Sequence, residues 1–99
     1  MVEIFWTDES KKWLGEIYDY ISEDNPANAK KVILGIIDTT KAIQDFPSIG
    51  QKLLDWPDYN IRMLLYGHYR IVYHVKSDSK IDILGVYHGA LDLKRHLKI

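Results

Sequence analysis

Cysteine is absent from the 99-residue sequence, which excludes disulfides, thiolate metal ligands and a thiol nucleophile and is compatible with a reducing compartment. No apolar run approaches the roughly 20 residues that cross a bilayer, and the opening MVEIFWTDESKK lacks the basic-then-apolar order of a signal peptide. The expectation is a cytoplasmic protein with no membrane partner. A surplus of positive charge is missing too. Thirteen Lys and Arg against fourteen Asp and Glu give a formal charge of −1, so any nucleic-acid contact must be local. The basic groups Lys11-Lys12, Lys30-Lys31 and Lys94-Arg95-His96-Lys98 read as solvated helix faces. There is no glycine-rich phosphate loop, no Gly-x-Ser-x-Gly elbow and no His-Glu-x-x-His spacing among the four histidines, so neither a metal nor a cofactor is expected.

What is present is apolar and patterned. A hydrophobic share of 46% over 99 residues suffices for one domain around one core. Residues 2 to 6, VEIFW, read as a short strand. Thr7 or Asp8 then caps a helix over about residues 8 to 23, in which Trp13, Leu14, Ile17, Tyr20 and Ile21 form one buried stripe and Gly15 marks a close crossing. Asn25-Pro26 opens a second helix. Ala29, Val32, Ile33, Ile36, Ile37, Thr40, Ile43 and Phe46 keep helical spacing until Pro47 ends it. Pro47-Ser48-Ile49-Gly50 is a turn, and a loop follows to Pro57-Asp58. Residues 59 to 65, 69 to 76 and 80 to 88 then alternate as three strands of a meander, and a short last helix covers Leu91 to Leu97. The order β-α-α-β-β-β predicts an α+β domain, a helix hairpin packed on one face of a small, mostly antiparallel sheet.

Parity predicts which side chains face the helices, because a one-residue slip sends a strand's whole apolar set to the other face. A three-residue connection at 77 to 79 pairs Val75 with Ile81, Tyr73 with Ile83 and Ile71 with Gly85. It keeps Asp82 out of the isoleucine core, where an unpaired charge would cost several kcal/mol. A three-residue connection at 66 to 68 pairs Leu65 with Tyr69, Met63 with Ile71 and Ile61 with Tyr73. The opposite face then collects Arg62, Arg70, His74, Asp82 and His88 around a floor of Leu64, Val72, Leu84 and Val86. An exposed apolar floor with a polar rim reads as a partner-binding surface. On it Arg62 and Arg70 are diagonal neighbours, as are Arg70 and His88, each pair roughly 7 to 8 Å apart and within reach of one anion. His74 pairs with Asp82 in this reading.

Phe46-Pro47-Ser48-Ile49-Gly50, Tyr69-Arg70-Ile71-Val72-Tyr73 and Tyr87-His88-Gly89-Ala90-Leu91-Asp92-Leu93, in that order after a strand and a helix hairpin, resemble the ParE/RelE superfamily of type II toxins over nearly the whole chain. The resemblance implies a toxin silenced by a cognate antitoxin, as a hetero-oligomer with it or as a homodimer. It implies one of two targets: DNA gyrase for ParE-like members, or mRNA on the ribosome for RelE-like ones. In the nuclease members metal-free cleavage takes a base, a phosphate-binding cation and an acid. Arg62 and Arg70 match the phosphate-stabilising arginines, and His88 matches a histidine acid. No clear base follows the Pro-x-x-Gly turn, where Gln51-Lys52-Leu53-Leu54-Asp55 offers only Lys52 and Asp55. That gap, the acidic balance and the ParE-like ending from His88 to Leu93 favour gyrase inhibition. The competing structural reading has Arg70 bridging Asp82 or Asp92 and His88 closing a strand end, with Trp6, Trp13 and the tyrosines in the core and Trp56 exposed.

Overall fold

Thr7 shows how the chain's first two elements are joined to its last strand. In the computed structural model, which describes residues 2–89 and 93–97, strand β1 (Glu3–Trp6) runs parallel to β5 (Lys80–His88) as far as Ile83. There the Thr7 hydroxyl donates to the Ile83 carbonyl (2.8 Å). The same oxygen accepts the Ser10 N–H (3.1 Å) and so caps helix α1 (Asp8–Ser22). Asn25 caps α2 (Pro26–Asp45) in the same way through the Asn28 N–H, with Pro26 in the first turn, where its fixed φ suits a helix. The chain continues through β2 (Gln51–Lys52), β3 (Ile61–Tyr66), β4 (Tyr69–Ser77), β5 and α3 (Leu93–His96). The α+β order is the one expected, with the two-residue β2 added, and the five strands form one sheet in the order β1-β5-β4-β3-β2.

Two predicted registers are corrected. The β3–β4 turn has two residues, not three. Gly67 sits at φ 58 and no non-glycine residue among those described has positive φ, as a type II′ turn requires, and its twist matches that of the flanking strands. Tyr66 therefore pairs with Tyr69, Leu64 with Ile71, Met63 with Val72 and Arg62 with Tyr73, which exchanges the faces of every β3 side chain. The β4–β5 connection is likewise not the three residues 77 to 79: Ser77 pairs with Lys80 across a two-residue turn. A register shift between Val75 and Ser77 restores the predicted pairs Val75–Ile81 and Tyr73–Ile83, and a second shift then sets Val72 opposite Gly85. Leu84 is left without an opposite residue. This bulge turns the rest of β5 over, so Ile71 pairs with Val86 and Arg70 with Tyr87.

The single expected core is accordingly two clusters, one on each side of the sheet. Under the helices lie Ile36, Ile43, Ile71, Tyr73, Ile81, Ile83 and Val86, with Leu64 packed against them. On the other face Ile61, Val72 and Tyr87 are closed over by Leu93 and Leu97, with Leu53, Trp56, Met63 and Leu84 alongside. Gly15 is exposed and marks no crossing; the close approach is at Gly35, where a Cβ would collide with the Tyr66 phenol. Phe46, the last residue of the expected α2 stripe, is 68% exposed, and Tyr18, Tyr20 and Tyr59 are exposed as well. Trp56, expected in solvent, is half-buried. Leu91, where the last helix was expected to start, and Asp92 lie outside the described residues.

From inside the helix-side core the Tyr73 hydroxyl donates to the Pro47 carbonyl (2.7 Å) and accepts the Gly50 N–H (2.9 Å). A Cβ at Gly50 would stand 2.6 Å from that hydroxyl and 2.8 Å from the Met63 carbonyl, so the turn needs glycine there. Tyr73→Phe strands the buried Gly50 N–H and the part-buried Pro47 carbonyl and is expected to lower unfolding free energy by about 1–3 kcal/mol at unchanged denaturant m-value, measured by urea titration. Burial, followed by the nearby Glu9 carboxylate, pushes the Tyr87 phenol up to about 12 from 10.0. Between those values the folded state holds a proton that the unfolded chain releases. Stability is therefore intact below pH 10 and declines above it, by on the order of 2 kcal/mol in full. Thermal melts from pH 9 to 12 are expected to show that decline, and Tyr87→Phe to flatten it.

Candidate functional site

Of the three residues expected to share one anion, the structure brings no set of three together. Arg62 stands opposite Tyr73 and reaches the turn after α2. Its Nη1 donates to the carbonyls of Gly50 (2.8 Å) and Ser48 (3.3 Å), and its Nε to Asn60 Oδ1 (3.0 Å). Arg70 lies three residues along β4, roughly 10 Å at 3.3 Å per residue, and shares the other face with Val72 and Tyr87. His88 pairs with Tyr69, whose side chain packs into the helix-side core, so His88 and Arg70 point to opposite sides of the sheet. The physical cause is the pair of registers: the two-residue turn inverts Arg62, and the Leu84 bulge inverts His88.

The expected partner-binding floor is divided by the same causes. Leu64 and Val86 face the helices, Val86 with no exposed surface. Val72 and Leu84 keep the predicted face, but Val72 is fully buried and Leu84 half-buried beneath the second cluster. His74 does stand opposite Asp82, yet the Asp82 carboxylate pairs with Lys76 Nζ at 3.4 Å. Burial and then the Lys76 charge lower the His74 pKa, against an opposing pull from Asp82. The alternative partner proposed for Arg70, Asp92, is outside the described residues.

A groove of about 460 Å³ lies between α1 and the adjoining ends of β4 and β5. Trp13, Glu16, Ile17 and Tyr20 line it from the helix, and Tyr69, Val86 and His88 line it from the sheet. The helical four recur at three- and four-residue spacing and so form one face of α1. Trp13 is held in place: its indole N–H donates to Glu9 Oε1 (3.2 Å), and its ring meets Tyr87 edge-on at 4.9 Å. His88 in turn meets Tyr69 edge-on at 6.0 Å. Sequence periodicity assigned Trp13, Ile17 and Tyr20 to the core, but Tyr20 is 77% exposed. The legible signal was Glu16 and the weakly apolar Tyr20 inside that stripe. Among the described residues no cluster of His, Asp and Glu has the geometry of a metal site.

A family model described as the ParE toxin of the type II toxin-antitoxin system, parDE, matches residues 4–93. A chain from the chromosomal ParDE TA system of P. aeruginosa is similar in structure, with a TM-score of 0.73 and 25% identity, over 89% of this chain and 96% of that one. No curated protein matches the sequence. With its guanidinium spent on the turn, Arg62 has a structural use independent of any ligand. Arg62→Ala is expected to cost about 1.5–3 kcal/mol in urea titration through lost charge-assisted hydrogen bonds, and Arg62→Lys is expected to recover part of that loss.

Proposed function

The chain belongs to the ParE toxin family of type II toxin-antitoxin systems, and from that premise we propose that it is a toxin held silent by a cognate antitoxin and that, released, it inhibits DNA gyrase rather than cutting mRNA on the ribosome. The observation that carries the choice of target is the separation of Arg62, Arg70 and His88. Cleaving a phosphodiester without a metal requires base, cation and acid within hydrogen-bonding distance of one phosphate. Here Arg62 is engaged with the Ser48 and Gly50 carbonyls, while Arg70 and His88 project from opposite faces of the sheet. A net charge of −1 points the same way, because a ribosome-bound nuclease works among phosphates that favour a basic protein. The groove along α1 supports the antitoxin half of the reading: it is a preformed, largely apolar concavity with an exposed tyrosine on its wall, the kind of surface a protein partner covers. Among the described residues no helix is long and apolar enough to cross a membrane, and the proposed location is the cytoplasm, where gyrase works.

Two assays on the purified protein test the target. Gyrase supercoiling is expected to be inhibited, and mRNA in a translating extract to remain intact. Ribosome-dependent cleavage that drops by about 100-fold or more on Arg70→Ala and on His88→Ala, with supercoiling unaffected, would reverse the assignment.

A further inference from the structure

The α1 groove is unbalanced in charge. Glu16 lines it, and among the described residues no lysine or arginine does. The last turn of α1, which contains Tyr20, has no basic residue, so the negative end of the helix dipole has no cation on its own helix there. Three aromatic rings, those of Trp13, Tyr20 and Tyr69, complete the lining, and the faces of such rings attract cations through their quadrupoles. His88, the other titratable lining group apart from the tyrosines, stands on the sheet wall against Tyr69 and His68 rather than on the helix wall with Glu16. The floor beneath, Ile17 and Val86, is apolar.

We propose that this groove seats a basic side chain, an arginine or lysine flanked by apolar residues, presented by a segment of the protein partner. The cation lies among the aromatic rings and pairs with Glu16, while its apolar neighbours cover the half-buried Ile17. A small free cation would satisfy the rings and the carboxylate but leave Ile17 wet. Arginine suits the site better than lysine, because the guanidinium is planar, weakly hydrated and stacks on aromatic rings. The volume of about 460 Å³ is within the range of roughly 300–1,000 Å³ in which ligand groups become largely buried. The inference rests on the reading that a protein antitoxin neutralises this chain, and it adds the chemistry by which that partner is recognised.

The test is a nuclear magnetic resonance titration of the isotope-labelled full chain with leucyl-arginine amide, and in parallel with leucyl-glutamate amide. The arginine probe is expected to shift the Trp13 indole, Tyr20, Tyr69 and Val86 signals in a saturable way, and the glutamate probe to leave them in place. Glu16→Gln is expected to weaken the arginine probe about three- to tenfold and Tyr20→Ala comparably, both positions being exposed. Equal response to both probes, no response to either, or shifts centred elsewhere would overturn the proposal. So would concentration-dependent shifts of the same signals without a probe, which would give the groove to a second copy of the chain. A growth assay with the neighbouring gene's product separates this from the broader reading. Growth rescued, with partner affinity unchanged by Glu16→Lys, sinks the groove assignment alone. No rescue, with the probe titration behaving as expected, sinks the antitoxin reading alone.

Discussion

The one-residue insertion at Leu84 is the constraint on which the rest of this molecule depends. From Ile81 to Ile83, β5 alternates in step with β4 and is flanked by β1. At that point Thr7 binds the Ile83 carbonyl and the chain of β1 departs into α1. Past the bulge the parity of β5 is reversed, so Val86 enters the helix-side core and Tyr87 leaves it. Gly85 makes the reversal possible, since its missing side chain leaves the space that the Tyr87 ring occupies. Without the shift, Tyr87 would press on the helices and the second face would lose the ring around which Trp13 and His96 gather.

A second constraint acts at the other end of the sheet. The turn after α2 has few apolar contacts of its own, and Phe46 and Ile49 both remain largely in solvent. Its geometry comes from hydrogen bonds instead. The buried Tyr73 hydroxyl bonds both ends of the turn, and Arg62 bonds two of its carbonyls. Tyr73 and Arg62 are cross-strand partners, so one pair of residues joins the sheet to the helix hairpin. Burial raises the pKa of the Tyr73 phenol and outweighs the Gly50 hydrogen bond and the nearby Arg62 charge, which both draw it down.

These two constraints shape the functional reading together. Each takes one member of the expected catalytic set out of reach: the clamp engages Arg62, and the bulge carries His88 to the helix side. The same bulge places Val86 and His88 opposite α1, and so builds the sheet wall of the groove. The placement of His88 away from Arg70 and the sheet wall of the groove thus share one origin, the bulge at Leu84.

Much was legible in the sequence because it depends on local chemistry. Helix period and capping residues located α1 and α2, alternation located β3, β4 and β5, and the order of motifs carried the family. Asp82 was correctly kept out of the isoleucine core, and its pairing opposite His74 followed from that. What the sequence could not decide was the parity on either side of an irregularity. Both a two-residue and a three-residue turn at Gly67 leave an alternating strand, and they differ only in which face each residue joins. Ile61 and Met63 look like residues of the helix-side core until a second cluster exists to receive them, and that cluster needs Leu93, Leu97 and the 53–60 loop folded back from distant parts of the chain. Alternation and helix period are therefore properties of the sequence, since they arise from near neighbours. The faces on which Arg62, Arg70 and His88 stand belong to the tertiary structure, since they follow from contacts between strands and across both sides of the sheet.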